Sequence, residues 1–246
     1  MTDDQRLAAE LATEAGRRLV GLRGRMAGAA AHEVRDAGDA SSHEFLVARL
    51  ADARPDDAVL SEEGRDDPAR LDAQRLWIVD PLDGTREYGE PGRVDWAVHV
   101  ALWERGSLIA AAVALPAEEV TFSAGGELPE RAEPERPLRM VVSRSRPPLF
   151  VDEVARRIGA VTLPHGSAGG KAMAVVRGDA DVYLHAGAMR EWDSAAPAGV
   201  AVAAGLHVSR FDGSPLQFNT PRAITDQLLI CPPSVAAEVM AAIAAR

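Results

Sequence analysis

Apolar positions recur along the chain with two different spacings. Leu7, Leu11, Ala15 and Leu19 lie four residues apart, which predicts an amphipathic helix opening near Thr2 or Asp3. A Gly- and Ala-rich passage follows from Gly24 to Ala31. Ser41-Ser42-His43-Glu44 then reads as a capping box, opening a second helix with Phe45, Leu46, Ala48 and Leu50 buried. Arg54-Pro55-Asp56-Asp57 ends that pattern. Short apolar runs with polar ends take over, predicting strands at 58–61, 77–80, 96–103, 108–115 and 120–123. Glu104-Arg105-Gly106 is a hairpin turn between two of them.

Residues 127–137 are rich in Glu, Pro and Arg and poor in apolar side chains. A domain boundary is expected there, separating residues 1–136 from residues 137–246. The rhythm then changes. Predicted strands at 138–143, 160–164, 180–185 and 227–231 alternate with predicted helices at 150–158, 170–177, 194–204 and 235–244. The pattern is that of an α/β protein in two parts.

Composition narrows the partners. A net charge of −10 argues against a nucleic-acid polymer or an anionic membrane surface, and suits a site that recruits cations. With one cysteine, Cys231, no internal disulfide can form, and a reducing compartment is expected. Met1-Thr2-Asp3-Asp4 is no signal peptide, and no apolar run reaches spanning length. A cytoplasmic protein is the expectation. Lys171 is the only lysine among 27 basic residues. A lysine kept against so strong an arginine bias suggests a place for a compact point charge.

The chemistry concentrates in Trp77-Ile78-Val79-Asp80-Pro81-Leu82-Asp83-Gly84-Thr85-Arg86-Glu87. A buried strand should run to Asp80 and stop, because Pro81 has no N–H to continue a central ladder. Gly84 suits a tight turn needing positive φ. Two carboxylates so close resist joint ionisation unless a cation sits between them. Oxygen ligands without His or Cys favour magnesium over zinc. Aspartyl-phosphate phosphatases place a nucleophilic Asp two residues before the second Asp, where this chain has Pro81. Gly166-Ser167-Ala168-Gly169-Gly170-Lys171 fails the Walker pattern at His165 and Ala172.

Further acidic candidates are Asp39, Glu62 at the end of a predicted strand, and Asp193. Each has an ordinary alternative: a residue ahead of a helix cap, an exposed turn residue and a helix N-cap, respectively. The six histidines show no zinc-ligand spacing. His99 alternates within an apolar strand as a core residue would, and His165 abuts the Gly-Ser segment.

In order along the chain, Glu62-Glu63, Asp80-Pro-Leu-Asp-Gly-Thr85, Gly166-Ser167-Ala168 and Trp192-Asp193-Ser-Ala-Ala resemble the motifs of the inositol monophosphatase superfamily. Ser61-Glu62-Glu63, Thr85-Arg86-Glu87-Tyr88, Val142-Ser143-Arg144-Ser145 and Lys171 look like its CysQ branch of 3′-phosphoadenosine 5′-phosphate phosphatases. The resemblance implies a layered αβαβα fold, an α+β sandwich with an antiparallel N-terminal sheet and a mixed C-terminal one. It also implies a lithium-sensitive magnesium enzyme acting on a small phosphate ester, in a fold that can form homodimers. Glu62, Asp80 and the Leu82 carbonyl would hold one Mg2+, and Asp80, Asp83 and Asp193 a second. A weaker third ion would lie near Glu62. Thr85, with Asp39 behind it, would activate water, although Asp36-Ala37-Gly38-Asp39 lacks the family's usual lead-in. Substrate contacts would come from Gly84, Thr85, Ser143, Gly166, Ser167, Lys171 and Arg190, with Arg144 a further cation for a second phosphate. An inositol 1-phosphate or broad phosphatase, one that also takes fructose 1,6-bisphosphate, is the close alternative. A binding protein without catalysis is the remote one. The charged loop from Arg65 to Asp72 is expected to be mobile.

Overall fold

The computed structural model describes residues 1–245. Helix α1, Asp3–Arg25, opens with a complete capping box. The Gln5 N–H donates to the Thr2 hydroxyl at 3.2 Å, and the Thr2 N–H donates to the Gln5 side chain at 2.9 Å. Helix α2, Ala31–Ala53, starts ten residues before the predicted capping box. Ser41 to Glu44 lie inside it, and the Ala30 N–H donates to the Glu33 carboxylate instead. The early turns escape the periodicity because their buried positions are Val34, Gly38 and Ser42, only one of them a large apolar residue. The smallness matters. A Cβ at Gly38 would lie 2.6 Å from the Tyr88 ring, and the Ser42 hydroxyl donates to the Pro81 carbonyl at 2.7 Å. The helix is therefore laid directly on the central motif.

The first sheet contains β1 (Ala58–Ser61), β2 (Arg75–Asp83), β3 (Ala97–Glu104), β4 (Ser107–Leu115) and β5 (Val120–Ser123), in that spatial order. It is antiparallel apart from the parallel β1–β2 pair. The second holds β6 (Leu138–Ser143), β7 (Ala160–His165), β8 (Val182–Arg190), β9 (His207–Ser209) and β10 (Ile224–Cys231), in the order β7-β6-β8-β10-β9. There β6 runs parallel to β7 and β8, and the remaining pairs are antiparallel. The short strand β9 has no counterpart in the sequence pattern.

Five layers result, as the resemblance implied. Helices α1 and α2 cover one face of the first sheet, where Leu11, Leu19 and Leu46 meet Trp77, Val79 and Val100. Helices α5 (Ala168–Arg177) and α6 (Glu191–Ala203) lie between the sheets, where Ile78, Ala101 and Val113 share a core with Met173, Val200 and Ile230. Helices α4 (Val151–Arg157) and α7 (Pro233–Ala244) close the outer face, packing Val154 and Val239 on Val142 and Leu229. Alternation along β3 assigns its even residues to the α1–α2 side and its odd ones to the α5–α6 side. Among the described residues, no helix is long and apolar enough to cross a membrane.

Strand β2 departs from the prediction at its most important point. It does not stop at Asp80 but continues to Asp83. Asp80 pairs with His99 and Asp83 with Ala97, so three steps on β2 face two on β3. The extra residue forms a bulge containing Pro81, where the missing N–H breaks no ladder bond. Gly84 follows at φ 87°, leading into the short helix α3, Thr85–Gly89.

Candidate active site

The bulge and the start of α6 converge on a cavity of about 560 Å³ between the two sheets. Asp80 and Asp83 come from the end of β2, and Asp193 from the first turn of α6. One carboxylate oxygen from each lies within 4.8 Å of the others, so the three could hold a metal ion. Asp80 is fully buried, and its Oδ1 accepts the Leu82 N–H at 3.0 Å. Its Oδ2 is buried with no hydrogen-bond partner. A buried carboxylate oxygen left orphaned is costly. An all-oxygen donor set around such an atom fits a hard divalent cation.

The charge states follow from crowding. Burial, reinforced by the charges of Glu62, Asp83 and Asp193, pushes the Asp80 pKa well above the ordinary carboxylate range. Burial and then Asp83 raise Asp193 to about 6. Glu62, beyond the end of β1, lines the same cavity, and loss of hydration followed by the Asp193 charge lifts it to about 7. Asp83 goes the other way. Burial opposes its ionisation, but the neighbouring charges of His99 and Lys171 and the Gly169 N–H hold it at about 2. Four carboxyl groups at one end of a cavity, three of them pushed upward, describe a site short of positive charge.

The sequence segments meet through the backbone. The Gly169 N–H, in the first turn of α5, donates to Asp83 Oδ2 at 2.7 Å. Ser167 caps α5, its hydroxyl accepting the Gly170 N–H at 2.7 Å. The Thr85 hydroxyl lies 3.0 Å from the Leu82 carbonyl and 3.4 Å from Asp39 Oδ1. Desolvation and then the Glu63 charge raise Asp39 to about 7, against the Thr85 contact. Asp39 sits inside α2, behind Thr85, and does not precede a helix cap. Asp193 is not an N-cap residue either. It is the third residue of α6, and its carboxylate accepts the Arg190 N–H at 3.2 Å.

The expected substrate contacts divide. Gly84, Thr85, Ser143, Gly166, Ser167 and Lys171 all line the cavity. Arg190 is not in the lining; its guanidinium sits over the Trp192 ring and 3.4 Å from the Arg222 carbonyl. Arg144 is also outside, paired with Glu87 at 2.6 Å and Glu90 at 3.2 Å. Lys171 is buried, and its ammonium donates to the Gly166 and Ser167 carbonyls, each at 2.7 Å. Burial lowers its pKa. The lone lysine thus fastens the loop that leads into α5.

Several contributors were not singled out from sequence. Asp95 is buried, and its carboxylate accepts the Gly166 N–H at 2.8 Å, holding that loop beside Gly84. Arg86 and Arg146 line the cavity, are exposed, and have no hydrogen-bond or ion-pair partner for their guanidinium groups. Both guanidinium groups are therefore free to meet a ligand in the cavity. His99, read from sequence as a core residue, has its Nε2 3.2 Å from Asp83 Oδ2. His165 packs against Gly170 outside the cavity lining. The Arg65–Asp72 loop expected to be mobile contains a 3₁₀ turn over Pro68–Asp72. Arg70 is buried there, bonded to Asp66, to Asn219 at 2.8 Å and to the Thr220 carbonyl at 3.0 Å.

Known proteins resemble this chain in sequence and in fold. The profile of the inositol monophosphatase family matches residues 4–246. A Mycobacterium leprae protein named 3′-phosphoadenosine 5′-phosphate phosphatase is 45% identical over 251 residues, covering 95% of this chain and 90% of its own. A Mycobacterium bovis protein of the same name is 49% identical over 217 residues, covering 85% of this chain and 81% of its own. In fold, the chain is similar to the crystal structure of CysQ from Bacteroides thetaiotaomicron. There the TM-score is 0.78 at 24% identity, covering 93% of this chain and 97% of that one.

Proposed function

The chain belongs to the inositol monophosphatase family, and from that we propose that it hydrolyses the 3′-phosphate of 3′-phosphoadenosine 5′-phosphate to give AMP and phosphate. The name shared by the two mycobacterial relatives supports this substrate. One observation from the structure carries it: the cavity lined by the buried carboxylates is also lined by two unpaired arginines. An ester with one phosphate needs only the carboxylates. A nucleotide with a second phosphate would also use Arg86 and Arg146, whose planar forks suit a phosphate dianion. They join Lys171 in the cavity lining, whereas Arg144 and Arg190, the other cations expected to meet the second phosphate, lie outside it.

In this reading the metal is Mg2+, two ions with a weaker third. Asp80, Asp83 and Asp193 hold one, and Glu62, Asp80 and the Leu82 carbonyl hold another. Magnesium, when bound, withdraws charge from the phosphoryl oxygens and the leaving alkoxide and acidifies water. Thr85 orients the attacking water through its hydroxyl, and Asp39 accepts the proton passed back through that hydroxyl. Gly84, Gly166, Ser167 and Ser143 shape the wall around the phosphate and the leaving group. No side chain is required as a nucleophile, since in-line attack by water needs mainly positioning and charge. Residues 1–136 would supply the metal ligands other than Asp193, and residues 137–246 the substrate wall other than Gly84, Thr85 and Arg86.

Phosphate release with Mg2+ tests this directly, comparing 3′-phosphoadenosine 5′-phosphate with inositol 1-phosphate. A preference of about a hundredfold in kcat/KM for the nucleotide, about 2.7 kcal/mol, is the expected result. Equal rates would favour a broad phosphatase, and release from neither would overturn the assignment.

A further inference from the structure

His99 occupies a position where an apolar residue is the norm. It is on the α5–α6 face of β3, between Ala97 and Ala101 and opposite Val113 of β4, all fully or almost fully buried. Its own exposure is 0%. An imidazole at such a site is costly unless its nitrogens find partners. Those nearby all belong to the acidic end of the cavity. Asp80 is its cross-strand neighbour, with Oδ2 4.0 Å from His99 Nδ1. Asp83 Oδ2 lies 3.2 Å from Nε2. The carbonyl of Trp192, the residue before Asp193, is 3.0 Å from Nδ1. Thus one ring touches Asp80, Asp83 and the backbone that carries Asp193.

The surroundings are built around this ring. A Cβ at Gly169 would fall 2.2 Å from His99 Nε2, so the first turn of α5 closes over the imidazole only because position 169 has no side chain. The Gly169 N–H and His99 Nε2 approach the same Asp83 oxygen. Asp83 Oδ2 thereby accepts the Gly169 N–H, while His99 Nε2, buried and without a hydrogen-bond partner of its own, lies in charge contact with the same oxygen. One hydrogen bond and one charge contact on a single carboxylate oxygen restrict its orientation, as the outer neighbours of metal ligands do.

We propose that His99 is a positioning residue for metal binding: its Nε2, packed against Asp83 Oδ2, sets the orientation of the Asp83 carboxylate toward Asp80 and Asp193. This rests on reading the three carboxylates as a metal site. The two attachments can be removed separately. In His99→Gln the amide nitrogen takes the place of Nε2 and keeps the contact with Asp83. In His99→Asn it takes the place of Nδ1 and keeps only the Trp192 contact. His99→Leu keeps neither.

Mn2+ binding followed by electron paramagnetic resonance on the substrate-free protein is the test, with the melting temperature in EDTA measured in parallel. The wild type and His99→Gln should bind within about threefold of each other. His99→Asn and His99→Leu should bind about 10- to 100-fold more weakly. Should His99→Leu fail to fold, the Gln and Asn pair gives the same contrast. Unchanged Mn2+ affinity in the Asn variant, even with a lower melting temperature, would make His99 a structural residue and overturn the inference alone. A wild type that takes up no Mn2+ would overturn the metal reading itself, and this one with it.

Discussion

The acidic and basic side chains that line the cavity hold their charges in opposite ways. At the acidic end, Asp80 and Asp83 sit on a buried strand bulge and Asp193 on the first turn of a helix, all fixed by backbone contacts. Arg86 and Arg146 are exposed and make no ion pair. Rigid, desolvated charges strengthen electrostatic work on a reacting group, since they need not reorganise during the reaction. Long exposed side chains adapt to a ligand and contribute through charge-assisted bonds formed on binding. The contrast assigns chemistry to the carboxylates and choice of substrate to the arginines.

The largest expected effect comes from breaking the acidic end. Asp83→Asn should lower kcat on the order of a thousandfold, for every phosphate ester tested, because it removes a charge where charge develops. Phosphate release at saturating substrate measures this, and a loss confined to one substrate would contradict the assignment of chemistry to this end. The arginines should respond differently. Arg146→Ala and Arg86→Ala should each raise KM for 3′-phosphoadenosine 5′-phosphate about tenfold, consistent with losing a charged hydrogen bond, while leaving kcat nearly intact.

Acidity sharpens the comparison further. In the metal-free protein Glu62 and Asp39 are raised to about 7 and Asp193 to about 6. A carboxyl raised in the folded state holds its proton more tightly than the unfolded chain does. It therefore favours folding most at low pH, and that contribution is lost as pH climbs through the folded value. The melting temperature in EDTA should fall from about pH 4 through 7, with Asp80 extending the fall to higher pH, and Mg2+ should restore it above pH 7. A flat profile would mean that these carboxyls are not desolvated as the structure places them. The smallest effect is expected outside both sets. Arg70→Met strips partners from Asn219 and the Thr220 carbonyl and should cost about 2 kcal/mol of stability, with kcat unchanged. Hydrogen exchange should show the 65–72 segment protected in the wild type and opened in the variant.

What could be read from the sequence follows the same division. The acidic end was legible because a strand with a Pro-containing turn confines its carboxylates locally, so Asp80, Asp83 and Gly84 announce themselves within a few residues. Lys171 was noticed for its rarity, but sequence could not show that its ammonium turns back to the Gly166 and Ser167 carbonyls. His99 looked like any strand residue, since its partners Asp83 and the Trp192 carbonyl lie on other elements. Of the arginines, Arg144 and Arg146 are two residues apart, yet one is ion-paired and the other free. That depends on where Glu87 and Glu90 fall in space. The early turns of α2 were missed because close packing against Tyr88 and Leu82 requires Gly38, which leaves no apolar stripe to detect.

The division between chemistry and selection is tested most directly by one ratio. It is kcat/KM for 3′-phosphoadenosine 5′-phosphate over that for 3′-AMP, measured with Mg2+ in the wild type and in Arg86→Ala/Arg146→Ala. The wild type should prefer the bisphosphate about a hundredfold, and the double variant should lose nearly all of that preference while hydrolysing 3′-AMP as before. An unchanged ratio in the double variant, or a matching collapse of 3′-AMP hydrolysis, would contradict the account.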